Sequence, residues 1–81
     1  MQIEVRFFAS LTEIVGRASA TCEVAGDAAV QDLWRQLVER HPRLGELSYQ
    51  PLVACDLDYS GWDRPLAGVR EVAFLPPVSG G

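Results

Sequence analysis

Apolar and polar residues alternate over residues 2–8, with Ile3, Val5 and Phe7 on one side and Gln2, Glu4 and Arg6 on the other. That two-residue period predicts a half-buried strand. Ser10-Leu11-Thr12-Glu13 has the spacing of a capping box and Gly16 supplies a stop, so a helix of one or two turns should follow. Alternation returns over residues 18–24, where Ala20, Cys22 and Val24 lie opposite Thr21 and Glu23, giving a second strand antiparallel to the first. A connection of about ten residues is long for a tight hairpin, and the short helix fills it.

The clearest helix comes next. Val30, Leu33, Trp34, Leu37 and Val38 recur at helical spacing and make one apolar stripe, with Asp27 as the expected N-cap. Arg40 and His41 suit the negative C-terminal end, and Pro42 stops the helix. Leu44 and Leu47 fit a further short turn. Residues 52–58 (LVACDLD) predict a third strand, residues 62–66 (WDRPL) a short edge piece interrupted by proline, and residues 69–75 (VREVAFL) the last strand. In that last strand Val72 and Phe74 share one face, and Glu71, Ala73 and Leu75 share the other.

One amphipathic helix cannot cover two sheets, so it should pack on one face of a single mixed sheet. Placing the first and last strands side by side and parallel at the centre gives an α+β, ubiquitin-like β-grasp. The expected core is Ile3, Val5, Phe7, Cys22, Val24, Leu33, Leu37, Val53, Cys55, Val72 and Phe74, with Trp34 also inside. Residues 1–75 form the domain and residues 76–81 an extended tail.

Composition narrows the chemistry. A chain of 81 residues can bury roughly 60% of its unfolded surface, which leaves little for a deep active site. The net charge of −4 offers no basic face for a nucleic-acid backbone. Cys22 and Cys55 form no CxxC pair and His41 has no second ligand at metal spacing, so neither a zinc site nor a disulfide scaffold is expected. The pattern predicts no signal peptide and no membrane span, in keeping with a reducing cytoplasm. Both cysteines fall at inward strand positions and read as inert packing; His41 reads as a helix cap, not a base.

The remaining candidate chemistry is in the tail. Pro76 and Pro77 lack backbone N–H groups, so the strand cannot continue its ladder beyond Leu75. From Pro77 through Val78, Ser79 and Gly80 to Gly81 an extended chain reaches about 16 Å, at roughly 3.3 Å per residue. Two terminal glycines can thread a channel too narrow for any side chain. A C-terminal carboxylate is an anion at neutral pH, with a pKa of roughly 3.3–3.7, and so must be activated before it can carry a group. An acyl-adenylate made from ATP does this and can then accept sulfur as a thiocarboxylate. The chain has no phosphate loop and no Cys/His pair, so catalysis must come from partners.

Three stretches carry a family resemblance: residues 5–16 (VRFFASLTEIVG), residues 62–66 (WDRPL) and, above all, residues 71–81 (EVAFLPPVSGG). Together they resemble the MoaD/ThiS sulfur carriers, in the branch that forms the small subunit of molybdopterin synthase, over essentially the whole chain. The resemblance implies that Gly81 is adenylated by an E1-like enzyme, converted to a thiocarboxylate and inserted into the synthase large subunit. There it would give sulfur to cyclic pyranopterin monophosphate, within a heterotetramer and with no cofactor bound to the carrier itself. Catalytic residues are then expected on the large subunit. The chain departs from the family at Asp56, where Asn is frequent, and at Gly68-Val69-Arg70, where an acidic Gly-Asp turn is frequent.

Strand parity adds a docking surface. Phe8 and Leu75 continue the outward faces of the first and last strands, and with Tyr59 they should form an apolar patch beside the tail. A carrier for thiamin or another pathway, a ubiquitin-like protein modifier, and an interaction domain with an inert tail are the other readings the residues allow.

Overall fold

The computed structural model describes residues 1–77. Its elements run β1 (Gln2–Phe7), α1 (Ser10–Val15), β2 (Ser19–Glu23), α2 (Val30–Arg40), a 3₁₀ turn (Pro42–Glu46), β3 (Leu52–Cys55), β4 (Asp58–Ser60) and β5 (Glu71–Leu75). The five strands form one mixed sheet in the order β2-β1-β5-β3-β4. β1 and β5 run parallel at its centre, and the other neighbouring pairs are antiparallel. This is the expected β-grasp.

Every residue of the predicted core is buried except Trp34, which is half-buried. Trp34 packs edge-on against Trp62, with ring centroids 5.5 Å apart, and against Phe74 at 4.9 Å. The two indoles lie at the rim of the core, packed against the fully buried Phe74 ring. Leu11, Val30, Leu44, Leu66 and Val69 complete the interior.

Both predicted helix caps are corrected. α1 begins after Ala9, so Ser10 is its first residue; the Ser10 hydroxyl meets the Tyr49 hydroxyl at 3.1 Å instead of capping. The first free N–H groups, those of Leu11 and Thr12, donate to the Phe8 and Ala9 carbonyls. Gly16 ends the helix in the left-handed region at φ 86°, as expected. α2 starts after Ala29 and not at Asp27, because its first turn is satisfied by backbone. Val30 N–H donates to the Arg64 carbonyl and Gln31 N–H to that of Trp62, while Asp32 accepts the Ala29 N–H at 2.9 Å.

Those bonds also explain why residues 62–66 are a loop and not an edge strand. Their carbonyls are spent on α2, and only a single bridge, Ala29 to Pro65, resembles strand pairing. The edge strand is β4, and β3 stops at Cys55 instead of running to residue 58. Asp56 and Leu57, at φ 49° and 74°, form a two-residue hairpin turn of the primed kind that matches strand twist. Such turns usually carry glycine, and its absence hides the turn in the sequence.

The Asp56 carboxylate accepts the Arg70 N–H at 3.1 Å and the Glu71 N–H at 3.0 Å, clamping the hairpin to the start of β5. This bond delays the strand: β5 begins at Glu71, not Val69. The two positions at which the sequence departs from its resemblance therefore touch one another.

Leu57 is 86% exposed, so its strained backbone is offset by no burial of its own side chain. Leu57→Gly should raise stability by about 0.5–1 kcal/mol. Asp56→Ala should lower it by about 1–3 kcal/mol, since two strand-end N–H groups lose a charged acceptor. Urea denaturation of both variants reads each effect.

Candidate functional site

The helices cover one face of the sheet and leave the other open. Register fixes what the open face presents. Arg6 pairs with Ala73, Ala73 with Ala54, and Ala54 with Tyr59, so these four make one row across four strands. Phe7 pairs with Phe74 and Leu52 with Leu75, so Phe8, Leu75 and Leu52 form the next row, at the C-terminal end of the parallel pair. Phe8 N–H donates to the Phe74 carbonyl at 3.3 Å and holds the rows together.

The three predicted docking residues thus share one face: Phe8 and Leu75 lie beside the point where the chain leaves β5, and Tyr59 lies two strands away on β4. Phe8 is 43% exposed, Tyr59 71% exposed and Leu75 half-buried. Pro76 is half-buried and Pro77 exposed. The tail positions Val78, Ser79, Gly80 and Gly81 lie outside the described residues.

Sequence reasoning missed part of this surface. A shallow groove of about 640 Å³ runs along the open face between Phe8 and Leu57, with Ala73 as its floor. Ala73 is buried although it lies on the open side, because its short side chain sits low beside Arg6 in the same row. Arg6 is held by Glu71, and Glu4 stands 3.9 Å away on its other side. These charges end the apolar strip toward the N-terminal end of β5. Leu57 escaped notice because a strand through residue 58 hid the hairpin; its only signal was an apolar residue after an aspartate at a turn.

What this face presents is an apolar strip bounded by the Arg6, Glu4 and Glu71 charges. Among the described residues no three His, Cys, Asp or Glu side chains converge as metal ligands. Both cysteines are buried thiols; Cys55 Sγ lies 3.3 Å from Ser60 Oγ. Burial pushes the Cys22 thiol above its ordinary value, against a weaker opposing pull from the Arg40 cation. Cys22 therefore stays protonated and unreactive at neutral pH. Among the described residues no helix is long and apolar enough to cross a membrane.

The sequence pattern of the ThiS family matches residues 5–81. The chain belongs to that family. A human relative, molybdopterin synthase sulfur carrier subunit, is 34% identical over 99% of this chain and 94% of its own length. Small archaeal modifier protein 1 of Haloferax volcanii is 34% identical over 98% of this chain and all of its own length, and its crystal structure superposes with a TM-score of 0.83 over all of both chains. A complex of subunits 1 and 2 of molybdopterin-converting factor from Helicobacter pylori contains a chain 26% identical, with a TM-score of 0.65 over all of both chains. These ThiS-family likenesses extend over both the β-grasp body and the tail.

The Cys22 shift carries a sign that can be measured. The folded state holds the Cys22 proton more tightly than the unfolded state does, so stability is intact below the ordinary thiol value of 9.0 and falls as pH rises past it. The loss runs only between the unfolded and the folded thiol values, at no more than about 1.4 kcal/mol per pH unit, and ends above the folded value. Cys22→Ala should remove that component of the slope in urea titrations compared at neutral and alkaline pH.

Proposed function

We propose that this chain is a sulfur carrier and serves as the small subunit of molybdopterin synthase. The observation that carries the reading is the pairing of a ThiS-family tail with an apolar open face at its root. Full-length similarity to a human sulfur carrier subunit supports the pathway. The Helicobacter pylori complex supports a large-subunit partner.

The chemistry follows from a carboxylate's limits. The Gly81 carboxylate displaces pyrophosphate from ATP on an E1-like enzyme and becomes an acyl-adenylate. A sulfur nucleophile then attacks the acyl carbon and expels AMP, leaving a thiocarboxylate. Inserted into the large subunit, that sulfur forms a carbon–sulfur bond to the cyclic pyranopterin with loss of a carbon–oxygen bond there, and hydrolysis of the acyl–sulfur bond returns the carboxylate and leaves the sulfur on the product. The carrier contributes reach and docking; the acids and bases belong to its partners. Pro76 and Pro77 deny the tail a place in the ladder, and Gly80 and Gly81 fit a narrow channel. Docking rests on Phe8, Leu75 and Tyr59, with Leu57 extending the same face. A heterotetramer in the cytoplasm is the assembly this reading implies.

A second reading, a ubiquitin-like protein modifier, is favoured by the likeness to the Haloferax volcanii modifier. Both use the same activated tail, and their products differ. After incubation with ATP, an activating enzyme and a sulfur source, intact-mass analysis should show exchange of one oxygen for sulfur. An adduct on another protein's lysine would favour the modifier, and an unchanged mass would remove both. Phe8→Ala with Leu75→Ala should weaken binding to the large subunit by about tenfold or more, at roughly 1 kcal/mol or more for each truncated anchor. Unchanged affinity would exclude the open face as the dock.

A further inference from the structure

A second surface lies at the far edge of the sheet and on its helix side. β2 is a terminal strand, paired only with β1 among the described residues. Two bonds fix the phase of that pairing: Phe7 N–H donates to the Ala18 carbonyl and Val24 N–H to the Met1 carbonyl. In an antiparallel ladder the hydrogen-bonded pairs alternate, so Ala18, Ala20, Cys22 and Val24 turn their backbone groups toward β1. Ser19, Thr21 and Glu23 turn theirs outward. The Glu23 carbonyl is taken by the Gln36 side chain at 3.0 Å. The N–H and carbonyl of Thr21, between Ser19 and Glu23, therefore offer a template for another strand.

Beside this edge a groove of about 360 Å³ opens between β2 and the C-terminal ends of both helices. Val15, Ala20 and Leu37 give it an apolar floor, and Arg17, Arg40 and His41 stand on its walls. In a chain of net charge −4 with seven arginines, two of those arginines and the only histidine meet here. Neither Arg17 nor Arg40 has an ion-pair partner among the described residues. Arg40 and the Cys22 thiol both line the groove. The wall is thus cationic against the sign of the whole molecule.

We infer that the free edge of β2 and this groove together take an extended, acidic and aliphatic segment of a partner protein, added to the sheet as a sixth strand. Main-chain hydrogen bonds to Thr21 and its neighbours supply the pairing. Alternate aliphatic side chains enter the groove, and flanking carboxylates meet Arg17 and Arg40. Charge complementarity selects the occupant: a basic segment would meet Arg17, Arg40 and His41, and a second copy of this acidic chain would have to bring its own net negative charge. The site is separate from the open face and does not draw on the chemistry of the tail.

The test is amide correlation NMR of the full chain with a short capped peptide, a valine–isoleucine run flanked by aspartates. Shifts and slowed exchange at Ser19, Thr21 and Glu23 are expected. The same peptide with lysine in place of aspartate should leave those signals unmoved. The double variant Arg17→Gln, Arg40→Gln, with unaltered spectra elsewhere, should bind the acidic peptide about tenfold more weakly, as loss of two exposed ion pairs would give. No shift at the β2 amides, shifts confined to the open face around Phe8, or equal binding of the lysine peptide would each overturn the inference.

Discussion

The parallel pairing of β1 with β5 is the constraint on which the structure turns. Strands at opposite ends of the chain meet at the centre of the sheet, so every intervening element must be laid to one side or the other. A parallel pair cannot be closed by a tight turn, and the connection here consumes both helices and three further strands. Its energetic basis is burial: Ile3, Val5 and Phe7 from β1 and Val72 and Phe74 from β5 are almost wholly excluded from water. Its functional consequence is placement. Because β5 is central, its last residue emerges in the middle of the sheet's end, flanked by Phe8 on one side and Leu52 on the other. An edge strand would have delivered the tail to a corner with half the docking surface.

Backbone strain is placed around that surface. Among the described residues, the non-glycine positions with positive φ are Ala9, Asp56 and Leu57. Ala9 follows Phe8 directly, and Asp56 and Leu57 lie at the other end of the groove. Each would be relieved by glycine. The Asp56 carboxylate offsets part of the cost by binding the first N–H groups of β5, which ties the hairpin to the strand that carries the tail.

The fold was legible because its strongest signals were periodic and agreed with one another. The strand patterns of β1, β2, β3 and β5 and the stripe on α2 picked out the core, and every residue so named is buried apart from the half-buried Trp34. The errors share a physical cause: backbone carbonyls did work that side chains were expected to do. Asp27 was displaced as a cap by the carbonyls of Trp62 and Arg64, and Ser10 by those of Phe8 and Ala9. Pairings so distant in sequence leave no local pattern. The β3–β4 hairpin was missed because Asp56-Leu57 lacks the glycine that normally marks its turn. For the candidate site, strand parity sufficed to place Phe8 and Leu75 on one face, whereas the place of Tyr59 on β4, Leu57 and the groove over Ala73 required the register. The basic groove beside β2 was invisible in sequence, since Arg17 and Arg40 come from separate elements.

The central claim is that the body is a rigid handle and that the reacting atom is the carboxyl carbon of Gly81. Extension of the chain by one alanine beyond Gly81 tests this most directly, read as conversion of cyclic pyranopterin by synthase reconstituted with the large subunit and activating enzyme. With the extended mass verified before and after reaction, an unchanged thermal transition together with no product is the result expected. Product formed at the unextended rate by the intact extended chain would contradict it.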